Sequence, residues 1–180
     1  MINLITNDKV LKYFLHYNIE DAGVSVKVNE KLSTKEYVGI KVDDYYNSLK
    51  LERTPKSVDF IITVDCRCNS YLLYILEFKK LNKPSHLKVN DILEKITNTV
   101  NDFIEDRFKH IFLNDKFKYK NVLIYLVGNI YSPAKLKTRN YDKDTLKIDT
   151  NLTLNPIRFR GKFYKVNYCL PEDLVVDKIT

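Results

Sequence analysis

Two apolar runs on either side of a three-residue link constrain this chain more than any other feature. Residues 57–66 read SVDFIITVDC, residues 70–80 read SYLLYILEFKK, and Arg67-Cys68-Asn69 lies between them. Runs rich in β-branched and aromatic residues that flank a short polar link read as an antiparallel strand pair. A link centred on Cys68 pairs 65 with 71, 63 with 73, 61 with 75 and 59 with 77. Side chains alternate across a strand, so Asp59, Glu77 and Lys79 then share one face. The register needs an odd number of residues in the link; a slip of one would put Asp59 opposite Leu76 and send the two carboxylates to opposite faces. The other face carries Val58, Phe60, Ile62, Val64, Leu72, Tyr74, Leu76 and Phe78, while Ile61, Leu73 and Ile75 add apolar weight to the acidic one. Apolar residues on both faces mark central strands covered on both sides, as in an α/β sheet. Two carboxylates and an ammonium at the end of such a pair need compensation, because unpaired buried charge is costly.

Around this pair the periodicity predicts further elements. Val10, Leu11, Phe14 and Leu15 have helical spacing behind an Asn/Asp start, which predicts a first helix over 7–18. Residues 24–28 alternate as a strand, with 36–42 as its partner, and 43–49 read as a short helix with acidic residues in its first turn. Pro55 stops any helix before the strand pair. Residues 81–85 read as a loop. An amphipathic helix is predicted over 86–112, through Val89, Ile92, Leu93, Ile96, Val100, Phe103, Ile104, Phe108 and Ile111. Residues 121–130 form another strand that is apolar on both sides. Strand, long helix, strand is a βαβ unit, so this strand should run parallel to the one before the helix. The tail has a polar stretch at 132–144, strands or loops near 146–154 and 162–169, and an acidic-capped segment from Pro171.

Composition narrows the function. The 180 residues suit one domain over 1–180, without repeats or low-complexity tracts. No stretch approaches the roughly 18 apolar residues of a spanning helix, and the start MINLITNDKVLKYF lacks the layout of a signal peptide, so an intracellular protein is expected. Cys66 and Cys68 are too close for an ordinary disulfide, Cys169 stands alone, and no zinc spacing occurs. The net charge of +7 favours a polyanionic partner. Acidic residues thin out toward 116–120 and 158–165. The second of these, RFRGKFYK, offers Arg158, Arg160 and Lys162 for phosphates beside Phe and Tyr for stacking. An exposed edge strand with charge on its outer face reads equally well.

Asp near the start of one strand and Glu-x-Lys at the end of its partner carry the chemistry, in Pro55-Lys56-Ser57-Val58-Asp59 and Glu77-Phe78-Lys79. Together with the order helix, antiparallel pair, helix, parallel strand, these residues resemble the PD-(D/E)xK phosphodiesterase superfamily, whose best-known members are type II restriction endonucleases. The resemblance covers about 55–130. It departs from the family pattern at Pro55, which lies four residues before Asp59, with Val58 in the adjacent slot.

The resemblance implies an α/β fold with a restriction-endonuclease-like core, a mixed central sheet flanked by helices. The variable parts would be 24–50 and the basic region 132–180. It implies a Mg²⁺-dependent endonuclease, with Mn²⁺ able to substitute, that hydrolyses double-stranded DNA as a homodimer. Asp59, Glu77 and the backbone carbonyl of Phe78 would hold the metal, since hard cations prefer oxygen ligands. Lys79 would orient or help deprotonate the attacking water. A further acidic residue is expected upstream, with Glu20 first and Glu36 second, although Glu20 also reads as a solvated helix end. His16 invites comparison with cap-snatching RNA endonucleases and also reads as a packing residue, while Asp65 reads as solvent-facing. Two rival functions share the pattern: an RNA endonuclease of the same fold, and a non-catalytic nucleic-acid-binding module.

Overall fold

The burial of these periodic segments is seen in a computed structural model of the chain, which describes residues 1–80, 86–128 and 143–178. Helix α1 (Ile2–Asn7) and a 3-10 turn (Leu11–Tyr13) lead into β1 (Leu15–His16), β2 (Ile19–Asp21), β3 (Val24–Val28) and β4 (Tyr37–Lys41). After α2 (Val42–Ser48) come β5 (Phe60–Asp65) and β6 (Ser70–Lys79). Helix α3 (Val89–Asn98) continues as a wider π-helical stretch (Thr99–Arg107) and closes with α4 (Lys109–Phe112). The rest is β7 (Lys118–Gly128), α5 (Lys143–Leu154), β8 (Ile157–Phe159), β9 (Lys162–Tyr164), β10 (Val166–Cys169) and β11 (Val175–Val176).

Six strands form a mixed central sheet in the order β1-β4-β5-β6-β7-β10. Strand β5 runs antiparallel to both its neighbours, β4 and β6, and β7 and β10 run parallel to β6, so the protein is α/β. The βαβ expectation holds because a parallel neighbour can be reached only by a crossover, which the long helix provides. One face of the sheet, with Ile61, Leu73 and Ile75, is covered by the helices through Ile5, Tyr46, Ile92, Ile96, Phe103 and Leu152. The other face, from Phe60 and Ile62 to Leu76 and Phe78, is covered by Ile19, Val24, Val26 and Val176 of a small sheet ordered β11-β3-β2. Each such fully buried side chain contributes about 1.5–3 kcal/mol. Among the described residues no helix is long and apolar enough to cross a membrane.

The strand pair has the register read from its link. Ile61 faces Ile75, Thr63 faces Leu73 and Asp65 faces Tyr71. Arg67, Cys68 and Asn69 all have left-handed backbones, at φ +69°, +51° and +54°. The Cys66 N–H donates to the Ser70 carbonyl at 2.8 Å, and Asp65 Oδ1 accepts the Arg67 N–H at 2.7 Å, so Asp65 caps the turn.

Several expectations are corrected. The helix expected over 7–18 does not form: α1 lies before it and stops at Asn7, and 8–18 hold only the 3-10 turn and β1, because Leu15 and His16 pair with Ile40 and Gly39 at the sheet edge. Residues 36–42 do form a strand, but β4 pairs with β1 and β5, whereas β3 pairs with β2 and β11. Gly39 permits this crowded edge: a Cβ there would stand 2.6 Å from Ile19 Cδ1 and 2.8 Å from the His16 carbonyl. Residues 146–154 belong to α5, whose Ile148 and Leu152, one turn apart, are buried in the helical layer. The basic run 158–165 is a hairpin of its own, turning at Arg160 and Gly161, both at positive φ. The loop at 81–85 lies outside the described residues, as does the polar stretch at 132–144 up to residue 142.

Candidate active and metal site

Asp59 stands where β5 leaves the ladder. Extending the register one step beyond Phe60 and Leu76 brings it opposite Glu77. The preceding residue has turned away: the Val58 N–H donates to Thr99 Oγ1 on the helix at 3.0 Å. The Phe78 N–H, which a longer β5 would have satisfied, donates instead to Asp59 Oδ2 at 2.6 Å. The Asp59 carbonyl accepts the Val42 N–H at 3.0 Å, tying the same residue to the start of α2. An extended residue directs its N–H and C=O to one side of its strand, so the Phe78 carbonyl faces the Asp59 side as well. All the metal ligands expected from sequence therefore converge at one end of β6.

Glu77 is fully buried. Its Oε1 accepts a hydrogen bond from Lys95 Nζ and is ion-paired with Lys79 Nζ, each at 2.7 Å, while Oε2 is buried without a hydrogen-bond partner among the described residues. Burial, and then the Glu77 charge, push the Asp59 carboxyl up to about 7 against the opposing pull of the Phe78 N–H and Lys95. Burial alone would lower the Lys95 ammonium, but its contact with Glu77 outweighs that and raises it. Lys95 and Thr99 are four residues apart on the inner stripe of the helix, so the same face that anchors Val58 also delivers a cation to Glu77.

Sequence reasoning missed Lys95; the available signal was a lysine inside an apolar stripe, three residues after Ile92. It also missed two carboxylates beside the site. Asp21 pairs with Lys41 at 2.8 Å, and its charge acts on Asp59. Asp43 on α2 has a buried Oδ1 without a hydrogen-bond partner among the described residues, and burial raises its carboxyl above the usual range.

Other expected residues lie elsewhere. Glu20 is exposed, because β2 is a strand and its neighbour Ile19 points into the core; alternation turns Glu20 outward and Asp21 inward. Glu36 is at the opposite end of the sheet. It is bonded to Ser33 and Lys178, of which Lys178 does most to hold its carboxyl down at about 2. His16 packs edge-on against Phe60, on the sheet face away from Asp59. Arg158 and Lys162 are exposed on the β8–β9 hairpin. Arg160 is fastened to the Phe117 carbonyl at 3.3 Å, to Asp115 at 3.4 Å and over the Tyr119 ring. Tyr119 pairs with Tyr71, six residues before Glu77, so the hairpin is roughly 20 Å from the acidic pair at strand rise.

Of the two carboxylates, Glu77 keeps one oxygen without a partner among the described residues although two ammonium groups share the other, and Asp59 is pushed up by burial and then by Glu77; a hard divalent cation fits that oxygen-rich corner. Among the described residues no three His, Cys, Asp or Glu side chains are grouped to hold a metal. An ion here would rest on Asp59, Glu77 and the Phe78 carbonyl and complete its shell with water, as Mg²⁺ commonly does. No protein-family model matches the chain, and no curated protein or solved structure is significantly similar to it.

Proposed function

We propose that this protein is a divalent-cation-dependent endonuclease acting on DNA, with a restriction-endonuclease-like core and Asp59, Glu77 and Lys79 as its reactive set. One observation carries the reading: a fully buried Glu77 with one oxygen unpartnered and the other shared by two ammonium groups, beside an Asp59 whose carboxyl is raised to about 7. Structural ion pairs tend to satisfy both oxygens; this one leaves an acceptor without a partner among the described residues. The antiparallel pair, the helix and the parallel strand in that order support the same reading.

A bound Mg²⁺ or Mn²⁺ supplies a phosphate-facing positive charge and a water of lowered pKa. The chain's own part is positional and electrostatic. The Phe78 N–H fixes Asp59 Oδ2, and Asp59 Oδ1 would be the oxygen to meet the cation. Lys95, the more enclosed of the two lysines, orients Glu77 by holding Oε1. Lys79, more exposed at the strand end, can leave Glu77 to hydrogen-bond a nucleophilic water or a phosphate oxygen.

The test is incubation of purified protein with supercoiled plasmid, single-stranded DNA and RNA, with Mg²⁺, with Mn²⁺ and with chelator. Metal-dependent nicking is expected, and Asp59→Ala should lower it at least about 100-fold while leaving DNA binding intact. Cleavage confined to RNA would change the substrate, binding without cleavage would leave a non-catalytic module, and undiminished cleavage by Asp59→Ala would remove the site assignment.

A further inference from the structure

Two basic surfaces compete for the nucleic acid, and they lie at opposite ends of the central sheet. One is the β8–β9 hairpin, roughly 20 Å from Glu77 at strand rise. The other is a pocket of about 330 Å³ that opens directly beside the acidic pair. Lys79 and Lys95, the two ammonium groups on Glu77, line it. Leu87 and Ile92, both buried, give it an apolar wall, and Lys56 and Lys88 stand at its exposed side.

The charges in this pocket are unequally committed. Lys56 is paired with Asp91 at 3.1 Å and Glu94 at 2.7 Å, and Lys79 and Lys95 share Glu77. Lys88 has no ion pair among the described residues. An apolar wall with an ammonium at the mouth that makes no ion pair among the described residues, its charge acting only at longer range on Asp91, matches one unit of a nucleic-acid strand, which presents a sugar and a phosphate. A strand whose scissile phosphate meets Asp59 and Glu77 must carry its neighbouring nucleotide across some adjoining surface, and this pocket adjoins the site through Lys79 and Lys95. The hairpin is too distant to touch that nucleotide.

We propose that the pocket between residue 56 and the start of α3 binds the nucleotide flanking the scissile phosphate. Lys88 and Lys79 contact its backbone phosphate, and Leu87 and Ile92 pack against its sugar. The inference rests on the nuclease reading, but its test measures binding rather than cleavage, so each can fail alone.

Fluorescence anisotropy with a labelled single-stranded and a labelled duplex DNA oligonucleotide, with Ca²⁺ in place of Mg²⁺, gives affinity as a function of salt. Lys88 is exposed, so its replacement should leave the fold intact. Lys88→Ala should weaken binding several-fold and reduce the salt slope by about 1. Lys88→Glu should weaken it by more than about 10-fold. A hairpin variant with Arg158→Ala and Lys162→Ala should change affinity less than about 2-fold. Unchanged affinity and slope in both Lys88 variants would overturn the inference, as would a loss confined to the hairpin variant or the absence of binding by the unaltered protein. If Lys88→Ala behaves as expected while no metal-dependent cleavage is found, the pocket stands as a nucleic-acid site and the hydrolytic reading falls.

Discussion

Asp59 is the residue at which stability and the proposed function pull apart. Its carboxyl is raised to about 7 in the folded chain, against 3.8 for the free group, because it is buried beside Glu77. Between those two values the unfolded chain releases this proton while the folded chain keeps it. Stability therefore falls as pH rises from about 4 to about 7 and stays low above that. In chelator, Asp59→Asn should remove this loss, because an amide carries no charge and can still accept the Phe78 N–H. Its melting temperature should exceed that of the unaltered protein at pH 8, by an equivalent on the order of 4 kcal/mol, and the difference should vanish near pH 4. Thermal denaturation across that range checks it; equal curves at pH 8 would mean that Asp59 carries no such strain. The same substitution should abolish cleavage, as expected of a group held in an unfavourable ionic state for use.

Elements meet at this site through few bonds, and Thr99 makes one that matters. Its buried hydroxyl accepts the Val58 N–H and so ties the entry of β5 to the helix that carries Lys95. Thr99→Val keeps the shape and leaves that N–H unsatisfied, which should cost about 1–3 kcal/mol. Cleavage should fall beyond what lost stability explains, because Asp59 is the next residue; denaturant melts beside turnover at a temperature where both proteins are folded would separate the two. Gly128 shows a similar dependence at the other end of the site. It faces Lys79 across the β6–β7 pair, and a Cβ there would lie 1.9 Å from the Lys79 carbonyl. At this scale the reading of the sequence was uneven. The long amphipathic helix and β5, β6 and β7 were legible because their apolar residues repeat with the period of the structure they form. The first helix was not: Val10, Leu11, Phe14 and Leu15 have helical spacing, but pairing with β4 takes Leu15 into the sheet. Local spacing lost to a tertiary contact there, and it lost again in α5, where packing made a helix of residues that read as strand or loop.

For the molecule as a whole, metal binding and stability should be linked. An ion that binds only the folded chain raises the melting temperature by mass action, and one held by Asp59 and Glu77 as proposed would also neutralise their repulsion. Mg²⁺ or Mn²⁺ should therefore raise the melting temperature more at pH 8 than at pH 6, where protons compete for Asp59, and should have little effect on Asp59→Asn or Glu77→Gln. A melting temperature indifferent to both ions would remove the cation from the proposed function. The three layers explain why so small a site is so enclosed: helices cover the acidic face of the sheet, the β11-β3-β2 sheet covers the other, and Glu77 lies under the helical cover with Lys95 above it. The sequence by itself put Asp59, Glu77 and Lys79 at one end and on one face of a strand pair for any link of odd length, because side chains alternate with a period of two; the structure supplied that link, three left-handed residues that set Ile61 opposite Ile75. Only the tertiary structure decided that Lys95 and Thr99 would complete the site, that Asp21 rather than Glu20 would neighbour it, and that the basic hairpin would stand at the far end. Those placements come from packing between segments distant along the chain, and neither spacing nor alternation within one segment carries information about which distant face it will meet.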